Sequence, residues 1–179
     1  MKNDLSKVML FLLCGLILVG PHVTWAADEA EVRGTVHRVF EQLKSRDYSA
    51  LYDSLPASSR TRMSRERFTS ALSRAQNMYV LDRIDVGQVR VSGSLAVVDT
   101  VLYGRLVKPF ETDGKIVVQQ YLVREEGKWR VATGDTATIK RFLASNPAFG
   151  RKFPIRQPRI YVKQNGSWSE FTPPRSPRT

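Results

Sequence analysis

Between residues 28 and 46, apolar side chains return at Val32, Val36, Val39, Phe40 and Leu43. Those offsets keep them on one side of a 3.6-residue turn, so the spacing predicts a helix over 28–46. A second, short helix is expected over 48–55. Asp47 caps it, Tyr48, Leu51, Tyr52 and Leu55 lie along one side, and Pro56 ends it. A third is expected over about 65–77, capped by Ser64 and stapled by Met63 against Phe68, with Phe68, Ala71, Leu72 and Ala75 as its buried stripe. From Tyr79 the period changes to two. Alternation predicts strands at about 79–91, 95–108, 115–125 and 128–134, separated by turn-forming Ser92–Ser94, Glu111–Gly114 and Glu125–Lys128. Short links between successive strands favour antiparallel pairing. Helices first and strands after them indicate an α+β domain: three N-terminal helices on a curved antiparallel sheet of about four strands.

That order of elements, closing on the hairpin "GKWRV" at Gly127–Val131, resembles the NTF2-like superfamily of cone-shaped α+β domains over about residues 28–135. The family includes ketosteroid isomerases, scytalone dehydratases and SnoaL-type cyclases. It also includes non-catalytic domains, some on exported envelope proteins. The resemblance implies a cone interior between helices and sheet, and it leaves the activity open, because function resides in sites and not in folds.

Beyond Asp135 the pattern predicts a short helix over 138–145, stopped by Asn146-Pro147, and then an extended, proline-punctuated stretch. Residues 159–171, "RIYVKQNGSWSEF", read as a β-hairpin, because Asn165-Gly166 suits a type I′ turn. An isolated hairpin is marginal in water, so it is expected either to dock through Ile160, Val162 and Phe171 or to pair with a partner. The expected organisation is a signal peptide at 1–26, the α+β domain at 27–139, a basic extension at 140–172 and a disordered tail at 173–179.

The ends bound the chemistry. Lys2 and Lys7 precede the apolar run Val8–Gly20, and Thr24 and Ala26 are small residues placed for cleavage after Ala26. The expectation is export to the periplasm or exterior; an uncleaved N-terminal anchor is the alternative. Cleavage removes Cys14 and His22, the chain's single cysteine and one of its two histidines. The mature chain then has no disulfide, no thiolate and no cysteine ligand, and His37 on the polar side of the first helix is its last imidazole. No metal and no cofactor is expected. From Ala27 onward there are 26 basic and 16 acidic residues, and the stretch 140–179 alone holds nine basic residues against Glu170.

The sharpest catalytic candidates are Asp99 and Tyr103. An aspartate among valines can act as a base and a tyrosine two positions on can donate to an oxyanion, as a carboxylate and a tyrosine do in the family's isomerases. The competing expectation places Asp99 on the outer face or pairs it with Arg90. Either face of that strand fits the interior. Asp135, after the last strand, is expected to serve a turn or cap. Tyr52, Val97, Tyr121 and Trp129 are candidate pocket walls. Arg60, Arg62, Arg65 and Arg67 around the Ser64 cap suit an anion. Arg151, Lys152, Arg156, Arg159, Lys163 and Trp168 suit an anionic envelope surface or an acidic protein; nucleic acid is not expected for an exported chain. Pairing of two copies through the sheet is a further partner open to it. The leading expectation is an exported, non-catalytic binding domain. The alternatives are a small acid–base isomerase, dehydratase or cyclase using Asp99 and Tyr103, and a passive carrier of an apolar small molecule.

Overall fold

The computed structural model describes residues 22–107, 111–132 and 136–171. The expected signal run Val8–Gly20, Asp135 and the tail at 173–179 lie outside them. No helix among the described residues is long and apolar enough to cross a membrane. In chain order the elements are α1 (His22–Lys44), α2 (Tyr48–Asp53), α3 (Ala57–Arg62), α4 (Arg65–Ala75), β1 (Tyr79–Ser92), β2 (Leu95–Leu106), β3 (Asp113–Glu125), β4 (Lys128–Val131), α5 (Thr136–Ala144), α6 (Pro147–Lys152), β5 (Arg159–Gln164) and β6 (Ser167–Phe171).

Local chemistry places several boundaries. The Asp47 carboxylate accepts from the Ala50 N–H at 3.0 Å, and the Ser64 hydroxyl accepts from the Arg67 N–H at 3.4 Å, so both expected N-caps form. Glu126 and Gly127, with φ of 51° and 74°, and Asn165 and Gly166, with φ of 49° and 81°, occupy the left-handed region that two-residue hairpin turns need. Two helices depart from the expected pattern. α3 has no buried residue and no apolar stripe to announce it. In α6, Pro147 opens a helix as well as following the end of α5, because its missing N–H costs nothing in a first turn.

The sheet is antiparallel with order β1-β2-β3-β5-β6, and β4 also pairs with β3. The sheet thus has six strands, more than the four expected, because the C-terminal hairpin joins it. One edge of β3 is shared: β4 pairs with residues 122–125 and β5 with residues 114–117. Two register shifts in β1, between Leu81 and Arg83 and between Val86 and Val89, bend the strand. Its outer edge is closed by cations from α1: Arg33 donates to the Val86 carbonyl at 2.9 Å and Lys44 to the Asp82 carbonyl at 2.6 Å. Such capping blunts an edge that would otherwise template pairing with another chain.

Both faces of the sheet carry a core. On the inner face, Val32 and Val36 of α1 pack on Val89, Val91, Ala96, Val98, Leu122 and Trp129. On the outer face, Ile139 and Phe149 of α5 and α6 cover Val97, Tyr121 and Ala132, with Phe142, Phe153 and Ile155 around them. N-terminal helices on one face of an antiparallel sheet and a second, C-terminal helical layer on the other make an α+β domain.

Candidate functional site

Strand alternation decides which residues can meet. On β2 and β3, Ala96, Val98 and Leu122 face α1, and Val97 and Tyr121 face α5 and α6. Leu102 reaches the space under the N-terminal helices, where a cavity of about 230 Å³ is walled by Val36, Phe40 and Leu43 of α1, Phe68 and Leu72 of α4, and Ile84 of β1, among others. Its wall has two polar side chains, Ser54 and Gln120, and none that titrates in the physiological range. Ser54 donates to the Gln42 side-chain oxygen at 3.0 Å.

Asp99 does not reach this cavity. It shares the outer face with Val97, and an Arg90 N–H donates to its carboxylate at 2.8 Å while Arg156 stands 3.6 Å away. Two guanidinium groups thus occupy the carboxylate on the outer face, away from the cavity. Tyr103 lies on the same outer face. The Arg83 guanidinium stacks 3.6 Å above its ring, and Trp168 meets it edge-on at 6.4 Å. The candidate pair therefore faces away from the cone interior.

The four expected pocket residues also separate. Val97 and Tyr121 belong to the outer core and Trp129 to the inner one. Tyr52 meets Phe68 at 5.7 Å, and its hydroxyl shares its proton between the carbonyls of Arg60 and Met63, tying α2 to the end of α3. Met63 is itself exposed, and Phe68 serves the cavity wall. Burial pushes the Tyr121 phenol above its ordinary pKa, and the phenol donates to the Gln119 side-chain oxygen at 3.1 Å. That same oxygen accepts the Arg156 N–H at 2.9 Å. Gln119 thus bridges the part of β3's edge that neither β4 nor β5 covers.

Among the expected anion-binding residues, Arg65 is fully engaged. It donates to both Asp53 carboxylate oxygens, to Ser49, and stacks on Tyr52 at 4.7 Å. Its hydrogen bonds hold the Asp53 carboxyl below the usual 3.8. Arg62 and Arg67 are exposed and Arg60 is half-buried. In the extension, Arg151 and Lys152 are exposed, Lys163 pairs with Asp113 at 3.6 Å, Arg159 lies over Tyr161, and Trp168 is 39% exposed beneath Lys115.

A second concavity, of about 550 Å³, opens where α1, the end of α2 and the β3–β4 hairpin meet. Of the expected pocket residues only Trp129 lines it; Ser54 and the other wall residues were not anticipated. A glycine inside a helix (Gly34) and two cations alternating on an edge strand (Lys128 and Arg130) were the available signals.

An apolar cavity beneath the N-terminal helices, with the carboxylate candidate on the far face, defines an α+β domain whose cavity wall carries no acid–base pair among the described residues. No family model and no curated protein matches the chain. Solved structures do. One, assigned as an NTF2-like transpeptidase from Campylobacter jejuni, is 12% identical with a TM-score of 0.40, and the match covers 55% of this chain and 94% of that one. Another, an LEH-like epoxide hydrolase from M. tuberculosis, is 14% identical with a TM-score of 0.40, covering 70% and 98%. At such distances neither neighbour's chemistry passes to this chain.

Proposed function

We propose that the protein is an exported, non-catalytic binding domain whose cavity takes a small apolar molecule and whose basic outer layer rests against an anionic envelope surface. One observation carries the reading: the cavity wall under α1 and α4 is apolar apart from Ser54 and Gln120, and the acid–base candidates lie on the opposite face of the sheet. Apolar cavities of roughly 150 Å³ stay dry and admit a benzene-sized guest. A space of about 230 Å³ suits a single ring or a short chain. The Lys2/Lys7 and Val8–Gly20 pattern supports export, and the exposed Arg151 and Lys152 support contact with negative charge.

The test is thermal unfolding of the purified protein with and without toluene or indole. A guest that binds only the native state raises Tm by mass action. The rise is expected for the wild type and absent for Leu72→Trp, which fills the space. No rise in the wild type, or an equal rise in Leu72→Trp with its far-UV spectrum intact, overturns the reading.

A further inference from the structure

The concavity at the edge of β4 has a character opposite to that of the cavity. Its walls carry Arg38 of α1 and Lys128 and Arg130 of β4, together with the hydroxyls of Thr35 and Ser54. The one carboxylate in the wall, Glu31, is bound at 2.6 Å by Arg124, which also holds Asp28. None of the three wall cations forms an ion pair among the described residues. Arg38 donates to the Thr35 hydroxyl at 3.0 Å, and Arg130 donates to the Asp53 carbonyl. These contacts orient the guanidinium groups without neutralising them.

Two buried donors in this wall have no acceptor: the Arg130 Nε–H and the indole N–H of Trp129, a residue only 4% exposed. Buried donors are satisfied in the great majority of native sites, and these two belong to residues that wall the cleft. The Val131 N–H turns away from β3 to the Ser54 carbonyl at 3.0 Å, which ties the end of α2 to β4 at the cleft. At Gly34 an added Cβ would meet nothing within 4 Å, so α1 leaves room there.

From this arrangement we infer a binding site for a small, multiply charged oxyanion, a phosphate- or carboxylate-bearing metabolite, held by Arg38, Lys128 and Arg130. The volume of about 550 Å³ falls within the usual range for small-molecule sites, roughly 300–1,000 Å³. Guanidinium and ammonium groups facing a common space, none of them in a salt bridge among the described residues, suit such groups, although Arg130 also feels the Asp53 carboxylate. The site is separate from the apolar cavity, with which it shares only the wall residue Ser54.

The experiment is calorimetric titration of the whole mature chain with pyrophosphate and, in a second arm, with citrate, at low ionic strength. The indole N–H resonance assigned by its loss in Trp129→Phe is followed in parallel. Saturable one-to-one binding is expected, with a shift of that resonance. Arg38→Gln and Lys128→Gln are each expected to weaken binding about tenfold, the worth of one charge-assisted contact. The control Arg74→Gln, which removes one positive charge elsewhere, is expected to bind as the wild type does. Preference for pyrophosphate over citrate assigns the phosphate class, and the reverse assigns the carboxylate class. Absence of saturation in both arms, or equal weakening by the control, overturns the site. Both results are independent of the toluene test.

Discussion

Phe149→Ala asks whether the outer helical layer is an appendage or part of one cooperative unit. Phe149 is 5% exposed, and its ring lies 4.9 Å from that of Phe153 and 6.4 Å from those of Tyr121 and Phe142. Truncating such a ring removes transfer free energy and leaves a void, at a cost of about 3–5 kcal/mol. For a domain of this size that corresponds to a Tm lower by roughly 6–20 °C. The void would border Tyr121, whose neighbour Leu122 is fully buried in the inner core on the other side of the same strand. A loss in the outer layer should therefore be felt by the whole sheet. The assay is urea unfolding followed by hydrogen exchange at β2, β3 and α1. The reasoning is refuted if α1 and β1 keep wild-type protection and midpoint while only residues 136–155 exchange faster, because the two layers would then open separately.

Three further substitutions probe particular contacts. Gly104→Ala would place a Cβ 2.5 Å from the Val80 carbonyl, beside a bulge in β1, and should cost about 1–3 kcal/mol in chemical denaturation, whereas Gly114→Ala, whose Cβ would meet Tyr161 at 3.6 Å, should stay within about 0.5 kcal/mol beyond the ordinary effect of a strand glycine. Tyr121→Phe should cost about 1 kcal/mol, because Gln119 keeps the Arg156 N–H; Gln119→Leu strands the Arg156 N–H and leaves the Tyr121 hydroxyl only the Phe153 carbonyl at 3.5 Å, and should cost about 1–3 kcal/mol, read from the same urea midpoints. The Asp53 carboxyl has a folded pKa below 3.8, so the Arg65 pair stabilises the fold above that pH and its contribution disappears as pH falls through the lower folded value. Asp53→Asn should flatten the loss of stability between pH 5 and pH 2, an effect that shrinks in high salt because the pair is exposed.

The period-two alternation of β2 and β3 was legible, including which residues share a face, because side-chain direction in a strand follows from counting alone. Which face turned inward was not legible, since Val97 and Val98 are equally apolar and both are fully buried. That one ambiguity left Asp99 suspended between interior base and ion-pair partner, and only the packing of α1 against Val98 resolves it. Phe142, Phe149 and Phe153 form the underside of α5 and α6, hidden from a periodicity reading by the Asn146-Pro147 break between two short helices. Arg38 lies about 90 residues before Lys128 and Arg130 in sequence, and their meeting depends on β4 standing at a sheet edge beside α1, which no local pattern encodes.

A sheet buried on both faces has little room for chemistry at its centre. Where β2 and β3 are thickest, Val97, Val98, Tyr121 and Leu122 are fully enclosed, and a charged group placed there would have to be paired or neutral. Asp99 obeys that rule at the margin of the outer layer, held by Arg90 and Arg156. The space available to a ligand moves outward accordingly: to the gap under α1 and α4, which is apolar because it continues the inner core, and to the flank of β4, which is cationic because an edge strand alternates its side chains into solvent. The second helical layer therefore does more than add stability. By filling the outer face of the sheet with phenylalanines it removes that face from consideration as an open groove, and it leaves the cavity and the β4 cleft as two spaces of contrasting polarity on either side of Ser54.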